Sequence, residues 1–213
     1  MQQLELFSIT SEPTSMKSSK EKELVKNLER VITDNEVIGL NVFFDRNRLL
    51  NDYERVKKLE ITEDPKRINV VGYKDTNDIN LGSGSLYDKK EKKFVLNHKE
   101  FTQIISHYEN TYTEEVVNQV KELVYPYYSI GRVRWMLLNS KSALSYHIDP
   151  HDTLRFHIPI ITTDNAFFLV NDKVFRMDTV GQLYVLNTQL KHTAINTDNK
   201  ERLHLVFDTW IKR

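Results

Sequence analysis

Histidine is concentrated in the last third of the chain, where His147, His151, His157, His192 and His204 all fall. Their spacing to other ionisable residues is regular. His147 and Asp149, Arg155 and His157, and Arg202 and His204 each lie two positions apart. In an extended strand, residues i and i+2 face the same side, so each pair would project together. Leu154, Phe156 and Ile158, with Leu203 and Leu205, would fill the opposite face. Three ionisable pairs turned toward one interior make a polar pocket, which is costly to bury unless its groups pair or bind something. Two imidazoles and one carboxylate are the donor set of a non-haem Fe(II) site, with three positions left open for substrate and O₂. His147 and Asp149 supply two donors from one strand end. His192, just beyond the strand-like run Gln182–Asn187, is the best third. Ten residues on, Arg202 offers a guanidinium that can clasp a carboxylate through two parallel hydrogen bonds.

Other readings stay open at the neighbouring positions. His151 lies four residues past His147 and is an alternative ligand, although Pro150 breaks the strand before it and an exposed loop is the expected setting. His204 either lines the pocket with Arg202 or is a hydrogen-bonded core histidine. Arg132 and Arg134 alternate with Val133 and Trp135; they can reach a substrate carboxylate, but solvent-facing arginines on a sheet are the preferred reading. Trp135 and Trp210 are expected in the core.

Taken in order, the elements His147-x-Asp149, Leu154-Arg155-x-His157-Ile158-Pro159, His192-x-x-x-Asn196, Arg202-x-x-Leu205 and Asp208-x-Trp210 resemble the aspartyl/asparaginyl β-hydroxylase family. Its members are Fe(II)- and 2-oxoglutarate-dependent oxygenases on a double-stranded β-helix, and they include small bacterial proline hydroxylases. The resemblance covers about residues 131–213. It implies that His147 and His192 bind iron and that Arg202 takes the distal carboxylate of 2-oxoglutarate. It also implies that Arg155 and His157 face the co-substrate's other carboxylate or the substrate. Vertebrate protein-modifying members carry Gly where this chain has Asp149, which restores the full triad, as in the amino-acid hydroxylating members. A family serine upstream of the first histidine has no counterpart in register among Ser140, Ser142 and Ser145.

The implied activity is a dioxygenase using Fe(II), 2-oxoglutarate and O₂ to hydroxylate an unactivated C–H bond. A free amino acid or small amino-acid-like molecule is the expected substrate, with Arg155 positioning its carboxylate. An Asp or Asn side chain in a protein or peptide is the alternative. A metal-binding cupin-like module without 2-oxoglutarate chemistry is a second alternative, and Arg202 argues against it.

The elements that must position these residues follow from the patterning. Leu24, Leu28, Val31 and Ile32 predict a helix from Ser19 to about Asn35. Val37–Phe44 reads as a buried strand, Arg48–Leu59 as a second helix and Ile68–Tyr73 as a short β run. A turn-rich stretch and a hairpin with Asp88–Lys93 at its tip follow, the lysines being solvated. Helices are expected over Lys99–Tyr108 and Thr113–Val124. From Gly131 onward, short β runs alternate with turns, including a tight hairpin at Asn171-Asp172-Lys173. The patterning predicts a mainly β fold with flanking α, which the resemblance makes a double-stranded β-helix, jelly-roll or cupin-like, with N-terminal helices packed on one sheet. Residues 1–18 are expected to be loosely ordered. Residues 19–213 are expected to form one domain, with 19–130 as support and 131–213 as the metal-bearing core.

Composition narrows the classes. The 213 residues carry 30 Lys+Arg against 30 Asp+Glu, and the balance holds in both halves, so there is no electrostatic footprint for nucleic acid or an anionic membrane. No apolar run approaches the ~20 residues of a membrane helix. The first residues lack the basic-then-apolar pattern of a secretory signal. With no Cys, thiolate metal sites and disulfides are excluded and a cytoplasmic setting is expected.

Overall fold

A computed structural model describes residues 18–34, 37–74, 76–88, 90–149 and 153–212. The expected loose N-terminus, apart from Ser18, and the Pro150–His151 loop lie outside the described residues. Three helices form where amphipathic spacing meets a cap. In α1 (Ser19–Thr33), Ser18 and Glu21 make a reciprocal capping box, and Leu24, Leu28 and Val31 are buried. The Asp45 side chain accepts from the amides of Asn47 and Arg48 to open α2 (Arg46–Lys57). Thr111 caps α3 (Tyr112–Val124), which buries Val116, Val117, Val120 and Val124.

Between these helices lie β1 (Val37–Phe43), β2 (Arg67–Asn69), β3 (Val71–Tyr73), the hairpin of β4 (Tyr87–Asp88) and β5 (Lys93–Phe94), and β6 (Phe101–Ile104). The C-terminal part supplies β7 (Tyr128–Leu138), β8 (Ser142–Ala143), β9 (Arg155–Ile161), β10 (Ala166–Val170), β11 (Lys173–Phe175), β12 (Gln182–Leu186), β13 (His192–Asn196) and β14 (Arg202–Ile211). The helix expected over Lys99–Tyr108 is not formed. Two 3₁₀ turns flank strand β6 there, and β6 pairs antiparallel with β3. The run Phe101–Ile105 is rich in β-formers, and pairing with β3 buries Phe101 and Ile105.

A six-stranded sheet in the order β1-β12-β9-β14-β7-β2 faces a four-stranded sheet in the order β11-β10-β13-β8. The chain passes between the two sheets from β9 to β10, from β11 to β12, from β12 to β13 and from β13 to β14, the winding of a jelly roll. At the β10–β11 hairpin Asn171 and Asp172 both have positive φ, 46° and 64°, the backbone of a tight turn that Asn and Asp tolerate.

Strand alternation splits the large sheet into two chemically different faces. Val133, Trp135, Phe156, Ile158, Leu183, Val185, Leu203, Leu205 and Phe207 join the helices in the main hydrophobic core. Full burial of each such side chain is worth about 1.5–3 kcal/mol. The other face looks inward between the sheets. A smaller cluster of Leu138, Phe168, Val170, Met177, Tyr184, Leu186 and Ala194 lies there, next to Arg132, Arg134, Arg155, His157, Arg202, His204 and Asp208, none of which is on the helix-covered core. The larger apolar core thus lies between the helices and the sheet, and the inter-sheet space holds the charged groups beside a smaller apolar cluster. No described helix is long and apolar enough to cross a membrane.

Candidate active site

His147 is held as a one-residue strand. Its amide donates to the His192 carbonyl (3.1 Å), and the His192 amide donates back to His147 (2.8 Å). Two residues on, the Asp149 amide donates to the Thr188 carbonyl at 2.9 Å. These backbone bonds bring the three side chains together, with candidate donor atoms all within 4.8 Å of one another. His147 Nε2 lies 3.6 Å from Asp149 Oδ1, and His192 Nε2 lies 3.8 Å from Asp149 Oδ2. Nδ1 of His147 is 2.6 Å from the Ser145 carbonyl, and Nδ1 of His192 is 2.9 Å from that of Leu190. A carbonyl only accepts, so each ring has a proton on Nδ1 and turns its Nε2 toward Asp149. His192 Nε2 is buried without a hydrogen-bond partner. Burial pushes the His192 imidazole down to about 4 despite the attraction of Asp149, so it is a neutral donor at pH 7. This donor set suits a hard-to-borderline divalent cation with open positions, and the backbone partners at Nδ1 are the usual way of aiming a ligating ring.

His147 and His192 line a cavity of about 40 Å³ between the sheets, together with Arg134, Met136, Leu144, Arg155, His157, Phe168, Leu186 and Arg202. That volume holds about three water molecules. Arg202 is 4 % exposed, with its guanidinium 4.4 Å from the Phe168 ring centroid. No carboxylate pairs with it among the described residues, and burial alone lowers it to about 9. Its Nε donates to His204 Nε2 at 3.0 Å. Its Nη2 is also 3.1 Å from His204 Nδ1, which in turn lies 3.3 Å from His157 Nδ1. His157 Nε2 is buried without a hydrogen-bond partner. His204 is thus a hydrogen-bonded core histidine that props Arg202 and orients His157.

Arg132 and Arg134, expected at the solvent, are instead 5 % and 6 % exposed. They share the inward face of β7, and the turn at residues 82–84 covers them. Arg132 Nη1 donates to the carbonyls of Gly82 (2.7 Å) and Gly84 (2.8 Å), and Arg134 Nη1 to those of Ser83 (2.6 Å) and Gly84 (2.9 Å). Asp208 binds Arg132 through Nε and Nη2, both at 2.8 Å, and Arg155 Nε at 2.7 Å, with Arg134 Nη2 at 3.9 Å. Burial opposes ionisation of Asp208, yet Arg155, Arg132 and Arg134 hold its carboxyl well below the usual range. Arg155 also reaches Asp149 Oδ2 at 2.6 Å. It therefore bridges two carboxylates rather than standing free for a ligand. Arg132 and Arg134 carried a readable signal in their two-residue spacing; the turn that covers them did not. Ser140, Ser142 and Ser145 are not among the cavity-lining side chains.

The buried imidazoles make stability depend on pH. Burial, then Arg202 and a second cation or imidazole, drive His157 and His204 well below their usual value. Both therefore stay neutral in the fold while the unfolded chain takes up protons below about pH 6.5. Stability is complete above that value and falls as pH drops toward the depressed folded values. The two rings together should cost about 2–3 kcal/mol per pH unit between roughly pH 6 and 5. Urea midpoints of the metal-free protein at pH 7.5, 6 and 5 measure this, and a flat series would show that the rings protonate in place.

A sequence profile of the aspartyl/asparaginyl β-hydroxylase family matches residues 48–212. The chain belongs to that family. The match includes β2 and α2 as well as the C-terminal motifs, so this β-hydroxylase-family domain reaches well upstream of residue 131. Solved structures share its fold at low identity. An oxidoreductase of the 2OG-Fe(II) oxygenase family from Burkholderia pseudomallei is 14% identical with a TM-score of 0.55, over 88% of this chain and 89% of that one. AviO1 from Streptomyces viridochromogenes Tue57 is 13% identical with a TM-score of 0.53, over 87% and 94%. A prolyl-4-hydroxylase from Pseudomonas putida is 10% identical with a TM-score of 0.52, over 89% and 99%. The sequence matches none of the curated proteins with which it was compared.

Proposed function

We propose that this β-hydroxylase-family chain is an Fe(II)- and 2-oxoglutarate-dependent oxygenase that hydroxylates a free amino acid or a small amino-acid-like molecule. One observation carries the reading: His147 and His192 of the His147–Asp149–His192 donor set line the same cavity as Arg202, a buried guanidinium with no carboxylate partner among the described residues. A buried unpaired cation is destabilising unless a ligand completes it. The donors fit the metal because the His192 Nε2 lone pair is buried with nothing to accept.

Fe(II) bound there with 2-oxoglutarate would supply the chemistry that places one atom of O₂ in a C–H bond while the co-substrate leaves as succinate and CO₂. The remaining work belongs to the chain. Arg202 takes the distal carboxylate as a bidentate pair, and His157, whose buried Nε2 has no hydrogen-bond partner, lines the same cavity. Phe168, Leu186 and Val206 wall the cavity against water. Arg155, 2.6 Å from Asp149 Oδ2, orients that carboxylate. Entry of a five-carbon dicarboxylate into so tight a cavity requires rim side chains such as Met136 and Leu144 to change rotamer.

Anaerobic addition of Fe(II) and then 2-oxoglutarate should produce a visible charge-transfer band. Arg202→Leu should weaken 2-oxoglutarate binding on the order of 100-fold, the scale for removing one partner of a desolvated charge pair, with iron binding retained. Equal affinity in wild type and variant would remove Arg202 from the co-substrate site. Succinate formation against a panel of free amino acids separates the small-molecule reading from the peptide reading; stimulation by peptides alone would favour the latter.

A further inference from the structure

We propose that Arg155 is a positioning residue of the metal centre: anchored by Asp208, it occupies one oxygen of Asp149, so that this carboxylate offers a metal a single donor atom. This rests on reading His147, Asp149 and His192 as ligands, and it names what limits one of them. Arg155 opens β9, directly opposite Asp208 on β14. Its Nε donates to Asp208 Oδ1 at 2.7 Å, and its Nη2 lies 2.6 Å from Asp149 Oδ2. Nε and Nη2 form the guanidinium edge that can grip both oxygens of one carboxylate. Here that edge is divided, one nitrogen to each of two carboxylates. A lysine, with its single nitrogen, could not span them.

Both ends of the bridge are fixed. Asp208 is also held by Arg132 through Nε and Nη2, and Arg132 by the carbonyls of Gly82 and Gly84. Asp149 is tied through its amide to the Thr188 carbonyl. Its two oxygens consequently meet different partners. Oδ1 lies 3.6 Å from His147 Nε2, whereas Oδ2 is buried, 3.8 Å from His192 Nε2 and closer still to Arg155. The Arg155–Asp149 contact is a close ion pair and not an aligned hydrogen bond, since Oδ2 has no hydrogen-bond partner. A carboxylate binds a cation through one oxygen or through both. With both, Asp149 would consume one of the positions that a site of two histidines and one carboxylate keeps open. A guanidinium on Oδ2 opposes this, because a metal sharing that oxygen would stand against a buried positive charge. Arg155 thereby sets the number of open positions by acting through Asp149.

Titration of the metal-free protein with Mn(II), followed by electron paramagnetic resonance in ordinary and oxygen-17-enriched water, counts the waters on the metal. Wild type should hold about three and Arg155→Met about two, because the released Oδ2 joins Oδ1 on the metal. The variant should bind Mn(II) at least as tightly as wild type, since a donor is gained and a neighbouring cation removed. About two waters in the wild type, or about three in the variant, would overturn the proposal. Weaker Mn(II) binding by the variant would mark Arg155 as merely structural and overturn it as well. Arg155→Gln, uncharged and too short to span both carboxylates, carries the same expectations and decides the matter if Arg155→Met does not fold. Failure of the wild type to bind Mn(II) would instead defeat the metal site itself, and the proposal with it.

Discussion

Asparagine in place of Asp208 is expected to destabilise the protein by about 3–5 kcal/mol, the scale for removing one partner of a buried ion pair. Asp208 is 5 % exposed and is the carboxylate on which Arg132, Arg134 and Arg155 converge. Asparagine keeps the shape and deletes the charge, leaving three buried cations to repel one another with only Asp149 nearby. Its amide nitrogen would also point a donor at one of the guanidinium groups. A loss of this size is a large fraction of a typical domain's total stability, so the variant should show a strongly lowered urea midpoint or accumulate as aggregate. Wild-type-like unfolding of Asp208→Asn, within about 1 kcal/mol, would mean that the arginines are compensated by solvent or anions and that the cluster is not closed.

Alanine in place of His192 is expected to remove metal binding with a much smaller effect on the fold. His192 contributes a buried Nε2 with nothing to accept, so truncation breaks no hydrogen bond at that atom, and the backbone bridge to His147 does not need the imidazole. The site is left with His147 and Asp149. Changes around a metal ligand cost 10–100-fold in affinity, so loss of a ligand itself should cost at least about 100-fold. Mn(II) titration followed by electron paramagnetic resonance, together with the iron content of the purified protein, measures this without reference to turnover. Undiminished affinity in His192→Ala would take this residue out of the metal site and would direct attention to His151.

How far the site is legible without coordinates depends on the range of each interaction. The two-residue spacing of Arg155–His157 and Arg202–His204 fixes which side chains share a strand face, because strand alternation is local. It does not fix what each side chain meets. Arg155 has the position expected of a ligand-binding cation, yet it spans Asp149 and Asp208, 59 residues apart in sequence. Arg132 and Arg134 read as surface residues because β7 shows only an alternation of charge with apolar residues. A turn roughly fifty residues upstream makes them interior.

The sequence by itself determined the amphipathic helices α1 and α3 and the tight turn at Asn171-Asp172, which depend on periodicity and turn dihedrals acting over a few residues; the jelly-roll class and the site residues followed from the resemblance to the family. Tertiary structure alone decided that Phe101–Ile104 is a strand and not a helix, since β3 supplies the partner. It also decided that β1 and β2 close the edges of the large sheet, and that the sheet's apolar face belongs to the helices and its charged face to the cavity. Long-range strand pairing and burial set those outcomes, and a chain read in order carries no record of which distant segment will cover a given face.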